Sequence, residues 1–156
     1  MKRDKAADID LEALPGHYIR RLQQIAVAIF LQETEKHGAT PVQYAALQKV
    51  GIAPGIDQRT LARSIGLDTS TIAGVIDRLE ARGLMQRSAS PEDRRVRLLS
   101  LTRAGQELLK AIEPDMLKAQ ERILAPLPEA ERPEFMRMLR ALVTANNEMS
   151  RAPSET

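Results

Sequence analysis

Two short helices, each opened by its own aspartate and closed by its own glycine, constrain this chain more than any other feature. Asp57 stands where a helix N-cap belongs, and Leu61, Ala62 and Ile65 come after it on one face before Gly66. Asp68 repeats the cap, Ile72, Val75, Ile76 and Leu79 repeat the apolar face, and Gly83 ends it. A capping carboxylate bonds the free amides of a first helical turn, and glycine adopts the positive φ at which helices commonly stop. Two such helices joined through so tight a turn form a helix-turn-helix.

The residues beyond Gly83 extend the motif. Residues 84–87 and 95–101 read as strands flanking a polar, proline-containing stretch at 88–94, which is a β-hairpin with a long tip. A hairpin directly after a helix-turn-helix is a wing. Before the motif, residues 14–37 keep the three- and four-residue apolar spacing of one long helix through Leu14, Tyr18, Leu22, Ile25 and Ile29, with Gly38 as its stop. Thr40-Pro41-Val42-Gln43 then opens a second helix: threonine caps, proline suits the first position, and Gln43 completes a capping box. Behind the wing, Thr102 caps a long helix reaching about Leu124, with Pro114 expected to bend it. A last helix starts at Leu127-Pro128-Glu129 and carries Phe135, Met138, Leu139, Leu142, Val143 and Met149 on a near-heptad stripe.

The expected fold is therefore mainly α with a small β component (α+β). It is a winged helix-turn-helix with a two-stranded β-wing, flanked by N- and C-terminal helices. The expected division is a flexible start at 1–13, dimerisation helices at 14–37 and 125–150, a DNA-binding unit at 38–103, a connecting helix at 102–124 and a flexible end at 151–156. The stripes of the outer helices can bury against one another or against a second copy; the C-terminal methionines and leucines favour a homodimeric bundle.

Charge points the same way. The chain has a net charge of +2, but residues 57–103 carry nine arginines against six acids, while residues 104–156 carry seven bases against nine acids. Arginine suits phosphate forks and guanine edges. With no cysteine and two histidines, thiol chemistry, Cys-zinc sites, iron–sulfur clusters and cysteine redox sensing are excluded, and no histidine spacing suggests a metal. There is no glycine-rich phosphate loop and no Gly-x-Ser-x-Gly, and the carboxylates of Glu33, Glu35 and Glu121 read as helix-surface charge. An enzyme is not expected, nor is a cofactor. No apolar run approaches the roughly 18 residues of a membrane span, and the start lacks the apolar core of a signal peptide, so a cytoplasmic protein without membrane contact is expected.

The run Asp57-Gln58-Arg59-Thr60-Leu61-Ala62-Arg63-Ser64-Ile65-Gly66-Leu67-Asp68, with Ser70-Thr71-Ile72, Ile76-Asp77-Arg78-Leu79-Glu80-Ala81-Arg82-Gly83-Leu84, Asp93-Arg94-Arg95 and Leu99-Ser100-Leu101-Thr102 in order, resembles the MarR-type transcriptional regulators over nearly the whole chain. The resemblance implies a homodimer reading double-stranded DNA at an inverted repeat, its two recognition helices about 34–36 Å apart. It implies a recognition helix presenting Thr69, Ser70, Thr71, Ala73 and Gly74 to base edges, with Arg78 reaching phosphate or pairing with Asp77 or Glu80. Thr71 can instead support the helix start. Gly74 stands where the family often has a long side chain such as arginine. In the wing, Arg95 first and Arg94 second are expected in the minor groove, Asp93 holding the loop, with Arg97 and Arg87 as phosphate candidates.

Family members commonly sense small aromatic acids or their acyl thioesters. The candidate effector ligands here are His17, Tyr18, Arg20 and Arg21, helped by Gln43 and Tyr44; the same histidine and tyrosine also suit a packing role. The segment from Pro15 to Leu22 resembles regulators of aromatic-acid catabolism, such as hydroxycinnamate or nicotinate pathways. The implied function is a ligand-responsive repressor. A ligand-blind architectural or protein-interaction module is the alternative.

Overall fold

The computed structural model describes residues 8–150. The helices are α1 (Pro15–Thr34), α2 (Pro41–Ile52), α3 (Gln58–Ser64), α4 (Thr69–Ala81), α5 (Arg103–Leu124) and α6 (Arg132–Ala145), with strands β1 (Met85–Ala89) and β2 (Arg97–Leu101) between α4 and α5. The element order and the two-stranded antiparallel sheet are those of a winged helix-turn-helix with flanking helices.

The caps are local chemistry carried out. Asp57 accepts from the Thr60 amide at 2.8 Å and Asp68 from the Thr71 amide at 2.6 Å. Thr40 and Gln43 form the reciprocal capping box at the start of α2. Gly66 and Gly83 take φ of 72° and 71°, which a side chain would oppose. Several boundaries differ from the sequence reading: the wing strands run Met85–Ala89 and Arg97–Leu101 rather than 84–87 and 95–101, so the tip is shifted by two residues. The first helix tightens into a 3-10 turn over Glu35–His37 before Gly38. A 3-10 turn over Glu129–Glu131 precedes α6. Within the start expected to be flexible, Leu11–Ala13 form a turn capped by Asp10. The expected flexibility of residues 1–7 and 151–156 falls outside the described residues.

The main core lies inside the winged-helix unit. Leu47 and Val50 of α2, Leu61 of α3, Ile72, Ile76 and Leu79 of α4, and Met85 and Leu99 of the hairpin are fully or almost fully buried together. Met85 pairs with Leu101, Arg87 with Leu99 and Ala89 with Arg97. A third strand-like segment, absent from the sequence reading, joins the far edge of β2. Leu99 donates to the Ile56 carbonyl at 2.9 Å and Gly55 to the Leu99 carbonyl at 2.8 Å, which binds the loop before α3 to the wing.

A second cluster joins the helices outside this unit. Phe30 of α1 and Ile112 of α5 meet Ala39, with Tyr44 and Met116 around them. Glu33 pairs with Arg122 at 2.8 Å, and His37 with Asp115 at 2.7 Å, so α1 and α5 run antiparallel. The first half of α1 extends beyond this contact, and its Tyr18, Ile19, Leu22 and Ile25 remain exposed.

The winged-helix unit and the outer helices join at Thr102. Its hydroxyl donates to the Gly83 carbonyl at 2.6 Å and accepts from the Gly105 amide at 3.0 Å. Gly105 lies so close that a Cβ there would overlap the Leu84 carbonyl. A Cβ on Gly74, by contrast, would meet open space. The same substitution should therefore act with opposite signs. Gly105→Ala should destabilise the fold by about 1–3 kcal/mol, and Gly74→Ala should stabilise it by about 0.5–1 kcal/mol through helix propensity. Urea melts of the two variants beside the parent measure both.

Candidate nucleic-acid interface

The recognition helix α4 turns Ile72, Val75, Ile76 and Leu79 inward. Helical periodicity then places Ser70, Gly74, Asp77 and Ala81 on the outer face, with Thr71, Ala73 and Arg78 at its margins. Thr69, Ser70, Asp77 and Arg78 are exposed, while Thr71, Ala73 and Gly74 are half-buried. The Thr71 amide is taken by the Asp68 cap. With a glycine and two alanines among its positions, this face is nearly flat.

Beside the start of α4 lies a cleft of about 620 Å³, walled by the first turn of α3 and by the wing. It brings Thr69 together with Arg95 and Arg97, and adds Arg59 and Thr60, which the sequence reading passed over. The signal for these two was present: the Asp57 cap fixes residues 58–60 as a first helical turn, and that turn faces the same cleft as the second capped helix. Arg94 is exposed in the wing tip, outside the cleft lining.

The tip is shaped by Asp93. Its carboxylate accepts from the Arg95 amide at 3.0 Å, Val96 donates to the Asp93 carbonyl at 3.0 Å, and Ser90 donates to the Val96 carbonyl at 2.9 Å. The Arg95 side chain is 92% exposed and meets the Asp93 carboxylate at 3.3 Å through Nε and at 3.5 Å through a terminal nitrogen. An exposed pair of this kind holds with about 0–1 kcal/mol, so the guanidinium can leave it for a phosphate or a groove at small cost.

Arg87 corrects the sequence reading. It is no free phosphate candidate: its guanidinium donates to the Asp77 carboxylate at 2.6 Å and to the Ala73 carbonyl at 3.1 Å. The reason is parity. Met85 faces the core, so Arg87, two residues on, faces inward as well. Asp77 is thereby engaged by Arg87 rather than by Arg78, and Glu80 accepts the Arg87 amide at 3.1 Å.

The candidate effector residues do not converge within one chain. Tyr18 and Arg21 line an apolar groove of about 590 Å³ between α1 and α6, with Leu22, Ile25, Met138 and Leu142. His17 is half-buried and contacts the Tyr18 ring edge-on at 5.4 Å. Arg20 is exposed and does not line that groove. Tyr44 instead packs on Phe30 with ring centroids 6.0 Å apart. Burial, then the negative charge of Glu113, raise its phenol above the usual range. Thirteen residues of helix separate His17 from Phe30, about 20 Å at 1.5 Å per residue. The Gln43 carboxamide is committed to the capping box, accepting from the Thr40 amide at 3.2 Å.

Two further polar contacts tie the site to the outer helices. Arg82, at the end of α4, donates to the carbonyls of Gly38 at 2.9 Å and His37 at 3.1 Å. The His37 ring meets Asp115, which Lys36 also approaches at 3.2 Å. Among the described residues no cluster of three or more metal-ligating side chains forms, and no helix is long and apolar enough to cross a membrane.

An exposed helix face, an arginine-lined cleft and a loosely held guanidinium on a hairpin define a winged-helix protein with the parts of a DNA reader. Comparison with known proteins is specific. Residues 39–96 match the model of the MarR family. A putative transcriptional regulatory protein for the hcr operon of Thauera aromatica is 34% identical, over 94% of this chain and 93% of its own length. The structure of BpsR from Bordetella bronchiseptica, whose DNA binding is described as regulated by 6-hydroxynicotinic acid, superposes with a TM-score of 0.82 at 29% identity, covering 87% of this chain and 97% of that one. The repressor CouR, solved on a 23-mer DNA duplex, superposes with a TM-score of 0.81 at 27% identity, covering 91% and 99%. The chain belongs to the MarR family of transcriptional regulators.

Asp115 carries a pH dependence. Hydrogen bonds from His37 and Lys36 hold its carboxyl below the usual carboxylate value. A folded-state pKa below the unfolded one means that the stabilisation is complete above the unfolded value, about 3.9, and is lost as pH falls through the folded value. Asp115→Asn should therefore reduce stability at pH 6 while narrowing its gap to the parent as the medium is acidified below about pH 4. Thermal melts across that range measure this.

Proposed function

We propose that the chain is a ligand-responsive repressor that binds a pseudo-palindromic operator as a homodimer. The observation that carries the reading is the continuity of the exposed α4 face with the cleft of Arg59, Thr60, Thr69, Arg95 and Arg97. A duplex offers that surface base edges for the helix and phosphates for the cleft, with a minor groove beside the wing. Ser70, Thr71 and Thr69 supply short hydroxyls, while Ala73 and Gly74 let the helix backbone approach closely. Arg95 enters the minor groove, where narrow A·T tracts concentrate negative potential; Arg94, Arg97 and Arg78 bind phosphate, and Asp93 sets the tip. The chain works in the cytoplasm, beside its DNA.

Dimerisation uses α1 and α6. Tyr18, Ile19, Leu22, Ile25, Met138, Leu139 and Leu142 are all exposed in the single chain, and so contiguous an apolar face marks an interaction surface. A second copy supplies its complement and sets the spacing of the two recognition helices.

The effector is a small aromatic acid or its acyl thioester, in keeping with the ligand that BpsR answers to, and its binding releases DNA. Arg20 or Arg21 suits the carboxylate and His17 or Tyr18 a ring substituent. Because Tyr44 packs on Phe30, about 20 Å along α1 from His17, a pocket using both groups takes α1 from one copy and Tyr44 from the other. Control of aromatic-compound catabolism follows from this effector class.

Binding to an inverted repeat in its own promoter region should be sub-micromolar and should weaken steeply with salt. Arg95→Ala should weaken it by about 1–3 kcal/mol. Fluorescence anisotropy on specific and scrambled duplexes measures both; equal affinity for the two duplexes would favour an architectural role.

A thermal-shift screen with aromatic acids and acyl thioesters should find a ligand that raises the melting temperature, since binding only the folded state must stabilise it. Replacing His17 and Tyr18 by alanine should abolish the shift. A screen with no responding compound would favour the ligand-blind alternative.

A further inference from the structure

Arg87 carries a charge yet points to the inner side of its strand. Strand alternation turns it to the same side of the hairpin as Met85, which is almost wholly buried, and its register partner Leu99 is buried too. Its side chain is 23% exposed, and its Nε is shut off from solvent without a partner. Burying a guanidinium is costly unless its remaining donors are well used. Part of that cost is offset by one terminal nitrogen, which bridges the Ala73 carbonyl and the Asp77 carboxylate, one turn apart on α4. The Arg87 amide is meanwhile bonded by Glu80, one turn further along the same helix. Three successive points of α4 are thus held by one residue of β1.

Asp77 also lies on the outer face with Ser70 and Gly74, 64% exposed. Left alone, its carboxylate would face the phosphates of any duplex laid there. The Arg87 guanidinium sits on it at 2.6 Å.

We propose that Arg87 is a positioning residue for DNA reading. By gripping Ala73 and Asp77 it fixes the angle between recognition helix and wing. It acts through α4 and touches no DNA. This inference rests on the DNA-reading function proposed above and assigns that function a residue outside the contact surface.

The experiment measures binding of the full-length protein and of Arg87→Ala, Arg87→Lys and Asp77→Asn to a specific and a scrambled duplex at several salt concentrations, with melting curves beside them. A phosphate contact and a positioning contact leave different marks. Loss of a phosphate contact weakens both duplexes alike and lowers the salt slope by about one. Loss of positioning weakens the specific duplex alone and leaves the slope unchanged. Arg87→Ala is expected to bind the specific duplex at least 10-fold more weakly, with scrambled-duplex affinity and slope as in the parent. Arg87→Lys keeps the charge, but its ammonium stands one bond nearer the backbone than the arginine nitrogen that bridges Ala73 and Asp77, so it should not restore specific binding. Asp77→Asn is expected to weaken specific binding several-fold although it removes a negative charge from the interface, and it decides the matter should Arg87→Ala fail to fold. Tighter binding by Asp77→Asn, a slope reduced by one, or rescue by lysine would each overturn the proposal. A parent protein indifferent to sequence removes the DNA-reading function itself; a selective parent with unchanged variants removes only this inference.

Discussion

The apolar contact among α2, α3, α4 and the hairpin is the constraint on which everything else rests. Leu47, Leu61, Ile76, Leu79 and Leu99 fill one small volume, and each comes from an element too short to be stable alone. A seven-residue helix such as α3 has little intrinsic helicity. It forms because Asp57 caps it and because Leu61 and Ala62 have a core to enter. Once that core exists, the outward faces of α3 and α4 and the opening between helix and wing are determined. The cleft is a by-product of packing, and its arginines and hydroxyls come from the first turns of α3 and α4 and from the wing.

The arginines divide into two groups that composition cannot separate. Arg82, Arg87 and Arg122 are engaged on backbone carbonyls, amides or carboxylates of the chain itself. Arg59, Arg95 and Arg97 border open space. The basic excess of residues 57–103 is real, yet part of it is internal structure, and the outer surface of this unit is less positive than that excess suggests. One of its acids, Asp77, lies under an arginine that counts toward the same total.

Much of the fold was legible because its signals are local. Asp57, Asp68, Thr40 and Thr102 cap within three residues of themselves, and Gly66 and Gly83 act through their own φ. What escaped was non-local or depended on phase. The pairing of residues 55–57 with β2 joins segments some forty residues apart and leaves no periodic trace. Arg87 is easily misread because a charged residue on a strand suggests the solvent side; counting two from Met85 gives the inward side. Chemical type groups the effector candidates, and helix rise then separates His17 from Tyr44. Gln43 suits both a cap and a ligand, and the cap holds it.

The two bonds from Arg82 to the carbonyls of His37 and Gly38 have a mechanical meaning. They grip the last turn of α4 at the point where α1 gives way to α2, while the opposite end of α4 is open beside the cleft. Any displacement of that junction would reach α4 through Arg82, at the end remote from Ser70.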